Sequence, residues 1–340
     1  MAHESTDPEA CVLSLVRGAW VSQSMRAACV LGIPDLLAEP RALDELAGAA
    51  DADPAALERL LQVLIDLGLA DHDGGRYSAT AMGETLRSDH PSGLGSLVVM
   101  QTEPLNVAAW GSLADAVRTG GAVFESVNHI EYWDFIGADP ERAARFNTAM
   151  ARRGVAQAAA IRGGCDLTDV STIVDVGGGK GGMLVSLLAD EPRLTATVAD
   201  LGHVAAAADR SFAAAGLADR ARGVAADFFA SVPSGGDAYV ISNVLHDWSD
   251  DDCIRILRTV RAAMDPGARL WVVEMVVGSP GRTPEQSRDL HLVDLHMLVL
   301  FGARERTSAE YGDLLAAAGV DRGTLLQTNA AWDVIEARPV

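Results

Sequence analysis

The segment Val174 to Gly182, V-D-V-G-G-G-K-G-G, is where residue types and spacing first suggest chemistry. It follows the β-branched run Thr172-Ile173-Val174 and precedes the helical pattern Met183, Leu184, Leu187, Leu188. Gly177, Gly179 and Gly182 satisfy G-x-G-x-x-G, in which glycine lets backbone amides at a helix N-terminus approach a ligand closely. Three acids bear on which nucleotide-like ligand that is. Asp200 closes the next strand, 23 residues beyond Gly177, where a carboxylate accepts ribose hydroxyls in NAD and S-adenosylmethionine enzymes alike. Asp175 lies in the turn itself. Asp227-Phe228 follows the third strand, where an acid can accept from an adenine amino group while the ring packs on the base. Capping of adjacent turns is the alternative role for Asp175 and Asp227. Three acids would repel a pyrophosphate and complement a sulfonium and an ammonium group. The pattern therefore favours S-adenosylmethionine, with Leu201 beside Asp200 as a further contact.

These residues need a parallel sheet to bring their strand ends together. From Thr172 the pattern predicts strands 172–177, 195–200, 222–226, 237–242 and 269–277, interleaved with helices 181–190, 203–215 and 249–264. A helix pair (Gln286–Leu300, Ser308–Ala318) and two strands (Thr324–Thr328, Trp332–Arg338) follow. Strands alternating with helices give a doubly wound α/β sheet, with ligands at the carboxyl ends of its strands. Residues 11–105 read as helical with no convincing strand. Within them, 42–49, 54–67, the turn Asp71–Gly75 and the segment Arg76–Ser78 make a winged-helix pattern. Residues 106–162 are helical again, with Asp139-Pro140 opening a helix. The expected domains are 1–105, a linker 106–162 and 163–340.

Charge argues against a DNA-binding role for the winged helix. Residues 35–90 hold 12 acids against 4 arginines, a balance of −8, within a chain of net charge −20. Phosphate contacts need the opposite sign, so nucleic acid, an anionic membrane and a transcription-regulator role are disfavoured. No run approaches a membrane span of ~20 apolar residues. Met1–Glu9 lacks the features of a signal peptide, and the four cysteines have no C-x-x-C spacing. A cytoplasmic protein with idle thiols is expected. Lys180, within the glycine loop, is the only lysine in the chain. The N-terminal stripe Leu13, Val16, Trp20, Val21 falls at helical spacing and predicts burial in a homodimer, the alternative being packing against the winged helix.

The motifs D-V-G-G-G-K-G-G, G-V-A-A-D-F-F, V-L-H-D-W-S-D-D-D and G-A-R-E-R-T, together with the winged helix, resemble the small-molecule O-methyltransferases. That family includes plant caffeic acid O-methyltransferases and bacterial enzymes that modify anthracycline and mitomycin-type antibiotics. The resemblance spans nearly the whole chain. It implies a C-terminal Rossmann-like class I methyltransferase domain and an N-terminal, mostly helical winged-helix domain used for dimerisation. It further implies that Gly177 and Gly179 lie against the methionine and ribose, Asp200 holds the ribose, Asp227 and Phe228 the adenine, and Ser242 lines the cofactor side. Arg142, or its rival Arg145, would reach the methionine carboxylate. His246 matches the catalytic base, flanked by Glu274 and Glu305. Asn128, His129, Trp133, Met150, Asn243, His296 and Met297 would line the pocket of a small aromatic acceptor.

The chemistry of the residues agrees with these roles. Methyl transfer from a sulfonium is an in-line displacement that must also remove a proton from the acceptor oxygen. A phenol of pKa ~10 is neutral at pH 7, and imidazole, titrating near ~6.5, can accept its proton as the bond forms. His246 follows the strand 237–242 and precedes a helix opened by Ser249-Asp250-Asp251-Asp252, at the carboxyl edge of the sheet. Glu274 ends an apolar run where an unpaired carboxylate is costly, so it needs a partner such as imidazolium. Glu305 is either that site's second acid or part of a solvated charge cluster. His291, Asp294 and His296 hint at a metal site, but their helical spacing separates the two histidines, so no metal is expected. A homologue that keeps the cofactor but performs a hydroxylase or decarboxylase reaction, and an NAD-dependent oxidoreductase, are the rival readings.

Overall fold

A computed structural model describes residues 7–326, 328 and 332–340, apart from the side chains of residues 151 and 152. The chain forms two compact units. One is the segment up to Val107 with Trp133–Ala149, and the other is Ala108–Tyr132 with Met150–Val340. Residues 106–162 thus divide between the two.

The first unit begins with the helix Pro8–Val30. The helix Pro54–Asp66 starts on Pro54 and on Asp53, whose carboxylate accepts from the Ala56 N–H at 2.9 Å. Its Leu57, Leu61 and Leu64 pack with Ile33, Leu46 and Tyr77. Strands β1 (Ala70–Asp73) and β2 (Arg76–Ala79) form an antiparallel hairpin. This hairpin corrects the expectation of no strand here. Gly74 and Gly75 alone make the turn, with φ of 57° and 77° that glycine adopts without strain, while Asp71 and Asp73 pair with Ser78 and Arg76. Of the N-terminal stripe, Leu13, Val16 and Trp20 are 51%, 64% and 69% exposed, and Val21 is half-buried.

The second unit is built on a seven-stranded sheet. Its strands are β3 (Thr172–Val176), β4 (Thr195–Asp200), β5 (Ala221–Ala225), β6 (Ala238–Ser242), β7 (Arg269–Glu274), β8 (Thr324–Leu326) and β9 (Asp333–Ala337). The order is β5-β4-β3-β6-β7-β9-β8. Strands β3 to β7 run parallel, and β9 is antiparallel to both its neighbours. Residue 327 of the expected strand Thr324–Thr328 lies outside the described residues. Alternation along β3 sends Ile173 to a core with Leu184, Leu187 and Phe212, and Val174 and Val176 to a second core with Ile256, Leu257 and Tyr311. Helices therefore cover both faces. The chain order reverses between β3 and β6, so their carboxyl ends flank the switch-point crevice where ligands of such sheets bind. Strand β7 stops at Glu274, short of the expected 277. Beyond it the Val276 N–H turns to the Asp333 carboxylate at 3.1 Å and leaves the ladder.

Candidate active site

The first half of the site is made of backbone. After β3 the chain turns through Gly177, Gly179 and Gly181, with φ of 72°, 58° and 76°, into the helix Gly182–Asp190. Side chains are excluded for different reasons. A Cβ on Gly177 would lie 2.8 Å from Val244 and 3.6 Å from the Phe228 ring, and one on Gly181 would lie 2.5 Å from Phe212. At Gly179 a Cβ would meet nothing within 4 Å. Asp200 fixes the loop by accepting from the Gly179 N–H at 2.9 Å and from its neighbour Leu201 N–H at 2.7 Å.

Asp175 departs from its expected place. It is buried at 1% exposure, and a Cβ on Gly178 would come within 2.3 Å of its Oδ2, so it underlies the loop and does not line its outer face. Burial, reinforced by Asp200, raises its carboxyl to about 7. Leu201 is 55% exposed, Asp227 is exposed, and Phe228 is half-buried between Gly177 and an aromatic group with Phe229 and Trp248. These open groups suit an adenosine. The Asp175 Oδ1, Ser242 Oγ and Asn243 Oδ1 are buried without a hydrogen-bond partner among the described residues, the pattern of a cradle built for a polar ligand.

The second half is made of buried charge. Asn243, at φ 59°, turns the chain sharply off β6 into the short turn Leu245–Asp247. Glu274, fully buried at the end of β7, holds that turn: its Oε1 accepts from the Val244 and Leu245 N–H groups at 3.1 and 3.0 Å. Buried Arg306 clamps the other side, donating to the carbonyls of Leu245 and Trp248 at 2.9 and 2.8 Å and to Asp250 at 2.7 Å. Between them sits His246, 3% exposed. Its Nδ1 lies 2.8 Å from Glu305 Oε1 and 3.8 Å from Glu274 Oε2, and its Nε2 lies 3.4 Å from Asp247 Oδ1. Glu305, at 4% exposure, is the direct partner and no part of a solvated cluster.

Burial alone would lower the His246 pKa, but Asp247, Glu274 and Glu305 overcome it and raise it to about 10. Burial raises the Glu274 carboxyl, with His246 opposing. A histidine titrating near its ordinary value, as the sequence suggests, is therefore replaced by a much stronger base. Nδ1 and the two glutamate oxygens lie within 4.8 Å of one another, a spacing that also suits a divalent ion. Of that donor set Glu274 Oε1 serves two amides and Nδ1 serves Glu305, whereas Glu274 Oε2 and Glu305 Oε2 have no hydrogen-bond partner among the described residues.

The remaining predicted residues fall in several places. Arg142 donates to the Phe135 carbonyl at 2.7 Å, stacks on its ring at 3.9 Å and faces Asp139 and Glu103 at 3.6 and 4.0 Å. Arg145 faces Glu103 and Glu141. Both guanidiniums are engaged within the first unit, as is Trp133, exposed and edge-on to Phe146. Met150 is half-buried, Met297 buried, Asn128 half-buried, and His129 exposed at φ 57°, a conformation that favours glycine. His291, Asp294 and His296 diverge: the first is exposed, the second accepts from the Glu305 N–H at 2.7 Å, and the third accepts from Trp110. The sequence reading missed Asp247, Arg306, Trp110 and Arg153. The first two are visible only as neighbours of His246 and Glu305 in their motifs.

A carboxylate-backed histidine next to a glycine loop that suits a cationic nucleoside, on a doubly wound sheet, fits an enzyme of the methyltransferase class. The chain belongs to the O-methyltransferase family: residues 110–321 match its O-methyltransferase domain and residues 13–89 its dimerisation domain. It is 36% identical over 331 residues to the phenazine O-methyltransferase PhzM of Lysobacter antibioticus, covering 97% of this chain and 96% of that protein. The solved structure of the mitomycin 7-O-methyltransferase MmcR is 34% identical, with a TM-score of 0.89 and 98% of each chain covered. The O-methyltransferase NcsB1 of neocarzinostatin biosynthesis, solved with S-adenosylmethionine and 2-hydroxy-5-methyl naphthoic acid, is 34% identical with a TM-score of 0.77, over 94% of this chain and 96% of that one.

Proposed function

We propose that this chain transfers a methyl group from S-adenosylmethionine to a phenolic hydroxyl of an aromatic natural product, with His246 as general base. The observation that carries the reading is the buried Nδ1 to Glu305 contact of 2.8 Å, which directs the other ring nitrogen to an incoming hydroxyl. The family membership and the antibiotic-type aromatics in the relatives' names support the acceptor class.

The residues fit the donor. Asp200 would take the ribose hydroxyls, Asp227, Phe228 and Leu201 the adenine, and Gly177, Gly179, Ser242 and the carboxylate beneath the loop the methionine end. When bound, S-adenosylmethionine supplies an electrophilic methyl carbon next to a positive sulfur. The chain does the rest. Glu305 accepts the Nδ1 proton and leaves Nε2, 3.4 Å from Asp247 Oδ1, as the nitrogen whose lone pair the neutral ring offers, while Glu274 holds the backbone that aims the ring. The rise to about 10 makes the neutral ring the minor form at pH 7, but that form matches a phenol of pKa ~10, so the proton transfer itself is nearly even in free energy. Glu305 and Glu274 then balance the imidazolium.

The dimerisation-domain match and the exposed stripe Leu13, Val16, Trp20 support a homodimer. Light scattering at micromolar concentration should give twice the chain mass, and a monomer would refute this. The buried thiols Cys165 and Cys253, both raised by burial, fit a cytoplasmic setting. The decisive experiment is turnover of labelled S-adenosylmethionine on a panel of polyketide, phenazine and quinone phenols. His246→Ala should lower kcat by on the order of 10²–10⁴ with cofactor affinity nearly unchanged, and acidic phenols should partly rescue it. Full turnover of that variant on an ordinary phenol would remove the general base from the scheme. Tighter binding of NAD than of S-adenosylmethionine would remove the cofactor reading.

A further inference from the structure

Asp294 draws attention in the sequence as one member of a metal-like triad and has no part in the mechanism above. It lies half-buried on the helix Pro284–Phe301. Gly302, at φ 66°, ends that helix, and the amides of Gly302 and Ala303 donate back to the carbonyls of Leu298 and Met297 at 3.0 and 3.4 Å. The chain therefore reverses and runs back along the helix it has just left. Asp294 receives it there: its Oδ1 accepts from the Glu305 N–H at 2.7 Å. The strap has little slack. The helix rises about 12 Å between Asp294 and Gly302, and the segment from Gly302 to Glu305 reaches about 11 Å when fully extended.

This bond decides where the Glu305 side chain can be. Its Oε1 lies 2.8 Å from His246 Nδ1, and its Oε2 has no hydrogen-bond partner among the described residues. The carboxylate thus bears on the ring while no other hydrogen bond among those residues holds it. Glu274 differs, because two amides anchor its Oε1. The acids against His246 are Asp247 in its own turn, Glu274 at the end of β7 and Glu305, and of these only Glu305 is within hydrogen-bond distance of Nδ1. Arg153, on the helix Pro140–Gly164, and Tyr311, on the helix Ser308–Ala317, act on Glu305 electrostatically, but neither supplies Oε2 with a hydrogen bond. Glu305 is therefore fixed through its backbone. On its C-terminal side the Val277 N–H donates to the Arg306 carbonyl at 2.9 Å, and the Arg306 guanidinium grips the His246 turn. On its N-terminal side Arg304 is exposed and pairs with Asp250 and Glu310, and the Glu305 amide itself goes to Asp294.

We propose that Asp294 is a positioning residue, which sets the backbone of Glu305 and through it the contact that orients the His246 ring for methyl transfer. The proposal rests on the general-base reading and adds a further carboxylate in series, one that acts only through Glu305. A carboxylate suits the task, since its hydrogen bond to an amide is shorter and stronger than that of a neutral acceptor.

The test compares Asp294→Leu and Asp294→Ala, strong helix formers that remove the acceptor, with Asp294→Asn, which keeps it. One readout is the rising limb of the pH-rate profile on a phenol. The other needs no turnover: the titration of the His246 imidazole followed by nitrogen-15 NMR, its signal identified by its loss in His246→Ala. Both Leu and Ala variants should move limb and titration down by roughly 0.5–1.5 pH units and lower kcat about tenfold, with KM for S-adenosylmethionine nearly unchanged. Asp294→Asn should restore most of each. In a Glu305→Gln background Asp294→Leu should move the titration no further, a result that mere loosening of the fold would not give. An unmoved titration in the Leu and Ala variants, an Asn variant as impaired as Leu, or a shift that adds to that of Glu305→Gln would each overturn the proposal. A shifted titration in a protein that methylates no phenol would uphold the placement of Glu305 by Asp294 and overturn the methyl-transfer reading instead.

Discussion

The glycine loop and the His246 turn sit at the ends of adjacent strands and are built on opposite principles. The loop is shaped by what is missing: it has left-handed glycines and a side-chain-free approach to Phe212 and Val244. The turn is shaped by what has been forced inside, two glutamates, an arginine and a histidine at 4% exposure or less. A backbone-built site tolerates no added atoms where its glycines are packed, at Gly177 and Gly181, whereas a charge-built site tolerates shape-conserving changes and responds to charge and pH. Each prediction below tests that contrast.

The largest effect belongs to the loop. Gly181→Val combines a φ of 76° with a Cβ 2.5 Å from the fully buried Phe212 ring, and should cost about 3–5 kcal/mol of stability and abolish cofactor binding by calorimetry. A soluble variant that still binds would break the comparison. At the turn, Glu305→Gln conserves shape and removes a charge. It should fold normally and move the rising limb of the pH-rate profile down by roughly 1–3 pH units, because one of the three carboxylates that raise His246 is gone. An unmoved limb would mean that Glu305 does not act through His246.

Stability against pH gives a third test. Asp175 and Glu274 are raised in the folded state, so folding favours their protonated forms, and their contribution declines as pH rises from about 4 toward 7. His246 is also raised; its contribution is full below about 6.5 and is lost as pH rises through about 10. Calorimetric Tm should therefore fall from pH 5 to 7 and again from 7 to 10, and Asp175→Asn should flatten only the first fall. The smallest effect is expected for Gly179→Ala, where a Cβ meets nothing within 4 Å. Only the left-handed backbone strain remains, about 1 kcal/mol, readable as a small shift in Tm.

The same contrast explains what the sequence revealed. The glycine loop, Asp200 and the alternation of strands and helices are local patterns, and the structure carries all of them. The hairpin Ala70–Ala79 escaped because A-D-H-D and R-Y-S-A show almost no apolar alternation. Asp175 was read as lying in the turn, since spacing along the chain does not say where β3 ends, and the fold keeps it in the strand, buried under the loop. The charge-built half depends on pairs far apart in sequence: His246 with Glu305, 59 positions on, and Trp110 with His296, 186 positions on. His246 was legible through its motif, but the rise of its pKa depends on three carboxylates whose convergence only the fold creates.

One loop residue gives the molecule an unusual reporter. Lys180 is exposed between Gly179 and Gly181 and is the only lysine in 340 residues. A lysine-specific protease therefore has a single bond to cut, at the junction between halves of nearly equal length. Cleavage at that bond reads the opening of the nucleotide loop and no other part of the chain. An amine-reactive dye likewise finds one side chain to label, so the degree of footprinting at a single position, with and without S-adenosylmethionine, tests whether the cofactor covers this loop.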